Sequence, residues 1–296
     1  MTIGTLYLVG VPIGNLGDMT PRALEILRAV DLVAAEDTRT TAGLLARYGL
    51  KVKLESYHKH NTRQKGDKLR DLLLEGRSVA LVADAGTPGI SDPGSDLVGV
   101  CADAGIPVVV VPGACAAIAG LTGSGLCTDR FVFEGFLSAA GKTRRMALEQ
   151  VASERRTVVL YEAPHRLRRT LSDLAQAGLG GRRIVAAREL TKLHEEFLRS
   201  TVDGLVSRYT EDEPRGEYVL VLEGLEAYEE RVRPEDDGEK AERVERAARE
   251  RSAALVRDGL PVRDIARMVS QETGLPRKEA YAMAAALRGE QPKDDV

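Results

Sequence analysis

The sequence has no tryptophan, only four phenylalanines and eight tyrosines, so aromatic residues make up 4% of its 296 positions. Extensive base stacking is thereby excluded. Cysteine is sparse and odd in number, at Cys101, Cys115 and Cys127, without paired short spacing. This excludes a disulfide framework and a cysteine-based zinc site, and it fits a reducing compartment. His58, His60 and His194 stand without the cysteines or carboxylates of a metal triad, so no metal is expected. No apolar run approaches the roughly 20 residues of a membrane span. The start "MTIGTLYLVG" lacks a charged leader region, and a soluble, cytoplasmic protein without membrane contact is expected. The net charge of −3 excludes wholesale coating by nucleic acid, which leaves a local basic face to be sought.

What is present is an alternation. From Thr5 to Phe136, the apolar runs "TLYLVG", "DLVAAE", "SVALVAD" and "IPVVVVPG" are separated by the helical patterns "TPRALEILRAV", "QKGDKLRDLLLEG" and "DPGSDLVGVCADAG". This order predicts an α/β domain built on a mostly parallel sheet, with ligands gathered at the carboxyl ends of its strands. Thr20 caps a helix with Pro21 at its first position, and Gly76 and Gly105 stand where helices should stop. A second set of strands and helices follows: "RTVVLYEAPHRLRRTLSDLAQAG", "RRIVAARELT", "EEFLRSTVDGLVSRY" and "GEYVLVLEG". We therefore expect an N-terminal α/β domain over 1–137 and a second α/β domain over 138–225. Residues 223–239 hold eight acidic and two basic side chains, a net −6, which predicts a solvated linker over 226–240. Three helical patterns separated by Gly-Leu-Pro turns then predict a helix-turn-helix-like appendage over 241–290, either for packing or for reading nucleic acid.

Three glycine- and proline-rich loops each follow a predicted strand: "VGVPIGNLGD" (Val9 to Asp18), "DAGTPGISDPG" (Asp84 to Gly94) and "VPGACAA" (Val111 to Ala117). Singly, each reads as a tight turn; together at one sheet edge they bring bare backbone around a small ligand. None has the spacing of a triphosphate loop or of a dinucleotide fingerprint. Nucleoside triphosphates and NAD are disfavoured.

With "AEDTR" (Ala35 to Arg39), "YEAPHRL" (Tyr161 to Leu167), "ARELTK" (Ala187 to Lys192) and "GEYVLVLEG", these loops closely resemble the ribosomal RNA small-subunit methyltransferase I family of the tetrapyrrole methylase superfamily. The resemblance covers nearly the whole chain, including the C-terminal helical segment. It implies two α/β domains of the tetrapyrrole methylase type with a cofactor cleft between them. It also implies methyl transfer from S-adenosyl-L-methionine to the ribose 2'-hydroxyl of a cytidine in the decoding region of 16S rRNA, within the small ribosomal subunit, by a homodimer. By position in the motifs it implies cofactor contacts from Pro12, Ile13, Asp84, Ala85, Gly86, Thr87, Ile90, Cys115 and Ala116, joined by Tyr161, Glu162 and Thr191. Asp84 reads equally as a turn cap. In one departure, relatives usually read Pro-Gly-Pro-Ser-Ala where this chain reads Pro112-Gly113-Ala114-Cys115-Ala116. A thiol at Cys115 is a weaker hydrogen-bonding group than a serine hydroxyl. In another, Ser138 replaces a proline in the interdomain turn, with two alanines inserted before Gly141.

Methyl transfer needs in-line alignment and a group that takes the hydroxyl proton. Glu36, Asp37, His165 and Lys192 are candidates, Lys192 only if burial or Arg188 lowers its pKa. Glu36 and Asp37 read equally as partners in surface ion pairs. Lys142 to Arg169 holds eight Lys or Arg against three Glu, a net +5. Within that span Lys142, Arg144, Arg145 and Arg166, with Arg39 and Arg188 outside it, are candidate RNA contacts; a solvated helix face is the competing reading. Two other functions fit parts of the pattern. One is a tetrapyrrole C-methyltransferase, which "AEDTR" and the basic span disfavour. The other is a nucleic-acid-binding protein with a non-catalytic methylase-like core.

Overall fold

Three nearly unbroken apolar runs form the buried heart of the first sheet, β1 (Leu6–Val9), β2 (Leu32–Ala35) and β4 (Val79–Val82), with β3 (Leu54–Ser56) at one edge and the partly exposed β5 (Val108–Val111) at the other. The computed structural model describes residues 2–233 and 237–289. All five strands are parallel in the order β3-β2-β4-β1-β5. Sheets of this kind are covered on both faces, which is why the strands are apolar throughout rather than alternating. On one face, α1 (Pro21–Ala29) and α2 (Thr38–Arg47) pack Ala23, Leu27 and Leu45 against Val9, Val33, Ala35, Ala80 and Val82. On the other, α3 (Thr62–Leu74) and α4 (Ser95–Asp103) pack Leu69, Leu73, Leu97 and Cys101 against Leu6, Ala34, Val79 and Leu81. The predicted start of α1 is as drawn: the Thr20 hydroxyl accepts the Ala23 N–H at 3.1 Å, ahead of Pro21.

The second sheet has the order β6-β7-β10-β8-β9, comprising β6 (Phe131–Phe136), β7 (Thr157–Glu162), β8 (Arg183–Arg188), β9 (Glu196–Thr201) and β10 (Tyr218–Leu222). Only β6 and β7 run parallel; the remaining pairs are antiparallel. One face is covered by α6 (Gly141–Ser153), α7 (Pro164–Leu174) and α8 (Val202–Glu211) through Val151, Leu167, Leu171, Leu174 and Leu205. The opposite face is covered by α5 (Ala116–Ser124), which enters directly from the third glycine-rich loop. Ala117 and Leu121 of α5 are buried against Val159, Val185, Val219 and Val221. Its small residues permit the close approach: a Cβ on Gly120 would lie 2.7 Å from Val219, and one on Gly123 would lie 2.3 Å from the Phe197 ring.

The expected domain limits change accordingly. The boundary drawn at 137/138 lies one strand too late, because β6 hydrogen-bonds to β7 and belongs to the second sheet. Residues 2–231 form one compact unit, in which α5 joins the core of the second sheet. The expected linker over 226–240 is largely helical. It contains α9 (Leu225–Val232) and the first turn of α10 (Asp237–Arg257), while residues 234–236 lie outside the described residues. α9 is held by Arg231, whose guanidinium donates to the buried Glu223 carboxylate at 2.8 and 2.9 Å. A pair of this kind is not available to a solvated linker.

The C-terminal unit consists of α10, α11 (Val262–Thr273) and α12 (Arg277–Arg288), packed through Ala248, Leu255, Ile265, Val269, Ala280 and Ala284. Gly259 and Gly274 take the left-handed conformation at φ 78° and 79°, so each Gly-Leu-Pro turn stops a helix as the sequence predicts. The unit starts at least four residues before the expected 241, and residue 290 lies outside the described residues.

Candidate active site

The three glycine-rich loops are tied to one another before any ligand is considered. Val11 and Gly86 exchange backbone hydrogen bonds at 2.9 and 3.1 Å, joining the first loop to the second. Gly86 does this at φ 76°, a conformation side chains rarely adopt. The first and third loops touch at Gly10 and Gly113, where a Cβ on either would lie 2.7 Å from backbone of the other. The Thr87 hydroxyl donates to the Ala114 carbonyl at 3.0 Å, closing the set. These glycines are required by loop–loop contact, and the result is a single backbone platform at the carboxyl ends of β1, β4 and β5.

Above the platform lies a cavity of about 540 Å³, within the usual range for small-molecule sites. Ile13, Asp84, Ala85, Gly86, Thr87, Ile90, Cys115 and Ala116 line it from the platform side, and Tyr161, Glu162, Leu190 and Val219 from the second sheet and the turn after β8. Two of the expected cofactor contacts lie elsewhere. Pro12 is buried and does not line the cavity. Thr191 lines an adjoining hollow of about 440 Å³ that shares Ile13 and Cys115, and its hydroxyl accepts the Asn15 N–H at 3.2 Å.

Tyr161 supplies the cap of α5 that Cys115 does not. Cys115 is the N-cap of α5 but makes no capping hydrogen bond, leaving the N–H two residues on without its customary partner. The Tyr161 hydroxyl, from the opposite sheet, accepts that Ala117 N–H at 3.0 Å. Phe133 and Phe136 hold its ring edge-on at 4.9 and 5.5 Å. Burial, with the nearby Cys115 thiol, pushes the phenol up to about 12.

Three carboxylates converge at one end of the cavity: Glu36 after β2, with Asp84 and Asp92 from the second loop. Asp84 accepts the Asp37 N–H at 2.9 Å, fastening the ends of β2 and β4. Burial and the Asp84 charge raise the Glu36 carboxyl above its usual range. Burial and the Glu36 charge raise Asp92 to about 6, against the opposing pull of Lys59. The Lys59 ammonium donates to the Ser91 carbonyl at 3.0 Å. Asp92 and Lys59 were not singled out from the sequence. The signal for Asp92 was its place as the second acid of "DAGTPGISDPG"; for Lys59 there was none, since its proximity is long-range.

Several expected roles are corrected. Asp37 does not line the cavity. It caps α2, its carboxylate accepting the Arg39 N–H at 2.8 Å and the Arg39 guanidinium at 2.9 Å, and these bonds hold it down at about 2. Lys192 does line the cavity, but its pKa is not lowered: burial opposes its charge, and hydrogen bonds to Glu217 (2.7 Å) and Glu189 (2.9 Å) outweigh that and raise it. His165 lies exposed at the rim, on the first turn of α7. Arg144, expected at an RNA face, is 3% exposed. It donates to Asp173 at 2.7 Å, and to Thr170 Oγ1 and the Ser138 carbonyl at 3.0 Å each, an internal strut. Arg166 is engaged with the Leu137 carbonyl and, at 3.4 Å, with Glu162. Arg188 pairs with Glu196 at 3.2 Å, and its Nε is buried without a hydrogen-bond partner. Lys142 and Arg145, at the start of α6, are exposed, as is Arg39. Among the described residues, no group of three or more His, Cys, Asp or Glu is arranged to hold a metal ion, and no helix is long and apolar enough to cross a membrane.

Comparison with known proteins agrees with this arrangement. The family Tetrapyrrole (Corrin/Porphyrin) Methylases matches residues 5–206, and the RsmI C-terminal HTH domain matches 235–288. A ribosomal RNA small subunit methyltransferase I from Synechocystis sp. is 47% identical over 97% of this chain and 100% of its own length. Its counterpart from Escherichia coli O157:H7 is 44% identical over 97% of this chain and 96% of its own length. Among solved structures, the uroporphyrin-III-C-methyltransferase from Thermus thermophilus superposes with a TM-score of 0.53 at 23% identity, covering 79% of this chain and 99% of its own. The same kind of enzyme complexed with S-adenyl homocysteine gives 0.54 at 20% identity, covering 74% of this chain and 97% of its own. At these identities the solved structures speak for the fold alone. The length and identity of the sequence matches speak for more: the chain belongs to the ribosomal RNA small subunit methyltransferase I family, within the tetrapyrrole methylases.

Proposed function

We propose that the protein transfers a methyl group from S-adenosyl-L-methionine to the ribose 2'-hydroxyl of a cytidine in the decoding region of 16S rRNA, acting on the small ribosomal subunit as a homodimer. The observation that carries the reading is the cavity above the glycine platform, with an apolar wall and a carboxylate end. Its size suits an adenosine with an amino-acid tail, and Ile13, Ile90, Leu190 and Val219 offer apolar surface to a base and ribose. Glu36 and Asp84 favour a sulfonium cation over the neutral thioether that remains after transfer, which assists release of the product. When bound, the cofactor supplies an electrophilic methyl carbon. The protein's own part is to align the acceptor oxygen, exclude water through the second-sheet wall and take up a proton.

The phosphates of the polynucleotide must be held outside this cavity, because its carboxylates repel them, so that only the target ribose reaches into it. Lys142 and Arg145 are the exposed cations from the expected set that remain available to track a phosphate backbone, and Arg39, equally exposed, would have to exchange its bonds to Asp37 for phosphate. Incubated with methyl-labelled S-adenosylmethionine, the purified protein is expected to label 16S rRNA in small subunits taken from cells lacking the modification, and the label should digest to 2'-O-methylcytidine. Label on a tetrapyrrole and none on RNA would overturn the reading in favour of a C-methyltransferase.

A further inference from the structure

Eleven side chains that line the cavity can carry or take a proton, and their surroundings separate them. Glu162 is 2% exposed and occupied by the Thr170 hydroxyl, the Ala163 N–H at 2.9 Å and the Arg166 guanidinium. Glu189 and Glu217 both hold Lys192, and Glu189 also accepts the Glu217 N–H at 3.0 Å. Asp84 is fastened to the Asp37 N–H, and the Asp84 N–H in turn meets the Glu36 carboxylate. The Tyr161 hydroxyl is occupied in capping α5 and lies against the Cys115 thiol, the Tyr218 hydroxyl accepts the Arg215 N–H at 3.2 Å, and His165 stands exposed at the rim with no carboxylate among the described residues bonded to orient its ring. Asp92 is different: it lines the cavity half-buried, and among the described residues nothing hydrogen-bonds its carboxylate.

We propose that Asp92 is the group that accepts the proton of the ribose 2'-hydroxyl during methyl transfer. The inference rests on the 2'-O-methylation reading above. As the 2'-oxygen bonds to the methyl carbon, the carbon–sulfur bond breaks, sulfur keeps the electron pair as a neutral thioether, and the hydroxyl proton passes to the Asp92 carboxylate. Four groups face Asp92: Glu36 from the end of β2, Asp84 from the end of β4, Lys59 following β3, and Tyr161 from β7. His58 faces Glu36 behind them. Burial first, and then the charges of Glu36 and Asp84, make Asp92 hold a proton more firmly than an exposed aspartate does and so make it a stronger base, and Lys59 limits that effect. The carboxylate is competent only when ionised, so turnover should rise as pH climbs through about 6.

The test is the pH dependence of single-turnover methylation of small subunits by the full-length protein, with cofactor affinity followed by calorimetry. Asp92→Asn is expected to lower turnover about 100- to 1,000-fold and erase the limb near pH 6, while S-adenosylmethionine still binds. Glu36→Gln removes the like charge that raises Asp92, so its limb should move to lower pH, a shift that lost packing would not produce. This second variant decides the matter if Asp92→Asn does not fold. Turnover within threefold of wild type in Asp92→Asn, loss of cofactor binding in that variant, or an unmoved limb in Glu36→Gln would each overturn the assignment. Wild-type protein that makes no 2'-O-methylcytidine would instead overturn the underlying reading, and the assignment with it.

Discussion

The two sheets build their shares of the cavity from different materials. The first contributes backbone: its loops meet through Gly10, Gly86 and Gly113, and side chains are excluded where the chains touch. The second contributes side chains, with Tyr161 capping a helix of the other half and Arg144 bracing α7 and the turn after β6. A backbone platform tolerates no added atom, whereas a side-chain wall tolerates no lost one. That asymmetry sets the order of the expected mutational effects.

The largest belongs to the side-chain framework behind the second sheet's wall. Arg144→Ala leaves Asp173 and Thr170 without their buried partner and is expected to cost about 3–5 kcal/mol in urea unfolding. RNA affinity per folded molecule should not change; a selective loss of RNA affinity at full stability would return Arg144 to the RNA face. Next comes the platform, where Gly113→Ala drives a methyl into the Gly10 backbone and should cost about 2–3 kcal/mol. A neutral outcome there would mean that the loops can part. Tyr161→Phe removes the acceptor of the Ala117 N–H and is expected to cost about 1–2 kcal/mol. In a Cys115→Ser background the same change should cost less, because a serine hydroxyl can cap α5 from within its own chain segment. Equal cost in both backgrounds would show that the two hydroxyls do not compete. The smallest effect on stability belongs to Lys142→Ala with Arg145→Ala, within about 0.5 kcal/mol. Yet this pair should lower the salt slope of subunit binding by about 2 if both contact phosphate.

Legibility followed the range of the interactions. The parallel sheet, the Thr20-Pro21 cap and the three loops were readable because each leaves its mark in residues close in sequence, even though the strands themselves pair over long distances. Arg144 and Arg145 look alike in composition, and only the spacing of Arg144 to Leu148 and Val151 marks the first as inward-facing. The place of α5 was hidden because "AAIAGLTGS" has no apolar stripe; its small residues acquire meaning only against Val219 and Phe197, some 75 to 100 residues later. Asp92 was hidden for a similar reason, since its neighbours Glu36 and Lys59 arrive from other strands. The glycines of the three loops were seen, but their first duty proved to be to one another.

The central claim is that the cavity over the glycine platform is where the methyl donor binds. Ala85 lines that cavity with its side chain exposed, so Ala85→Trp fills the space without entering the core. Calorimetric titration of S-adenosylmethionine should find one site per chain in the wild type and none in Ala85→Trp, at an unchanged melting temperature. Equal binding by the two proteins would contradict the account.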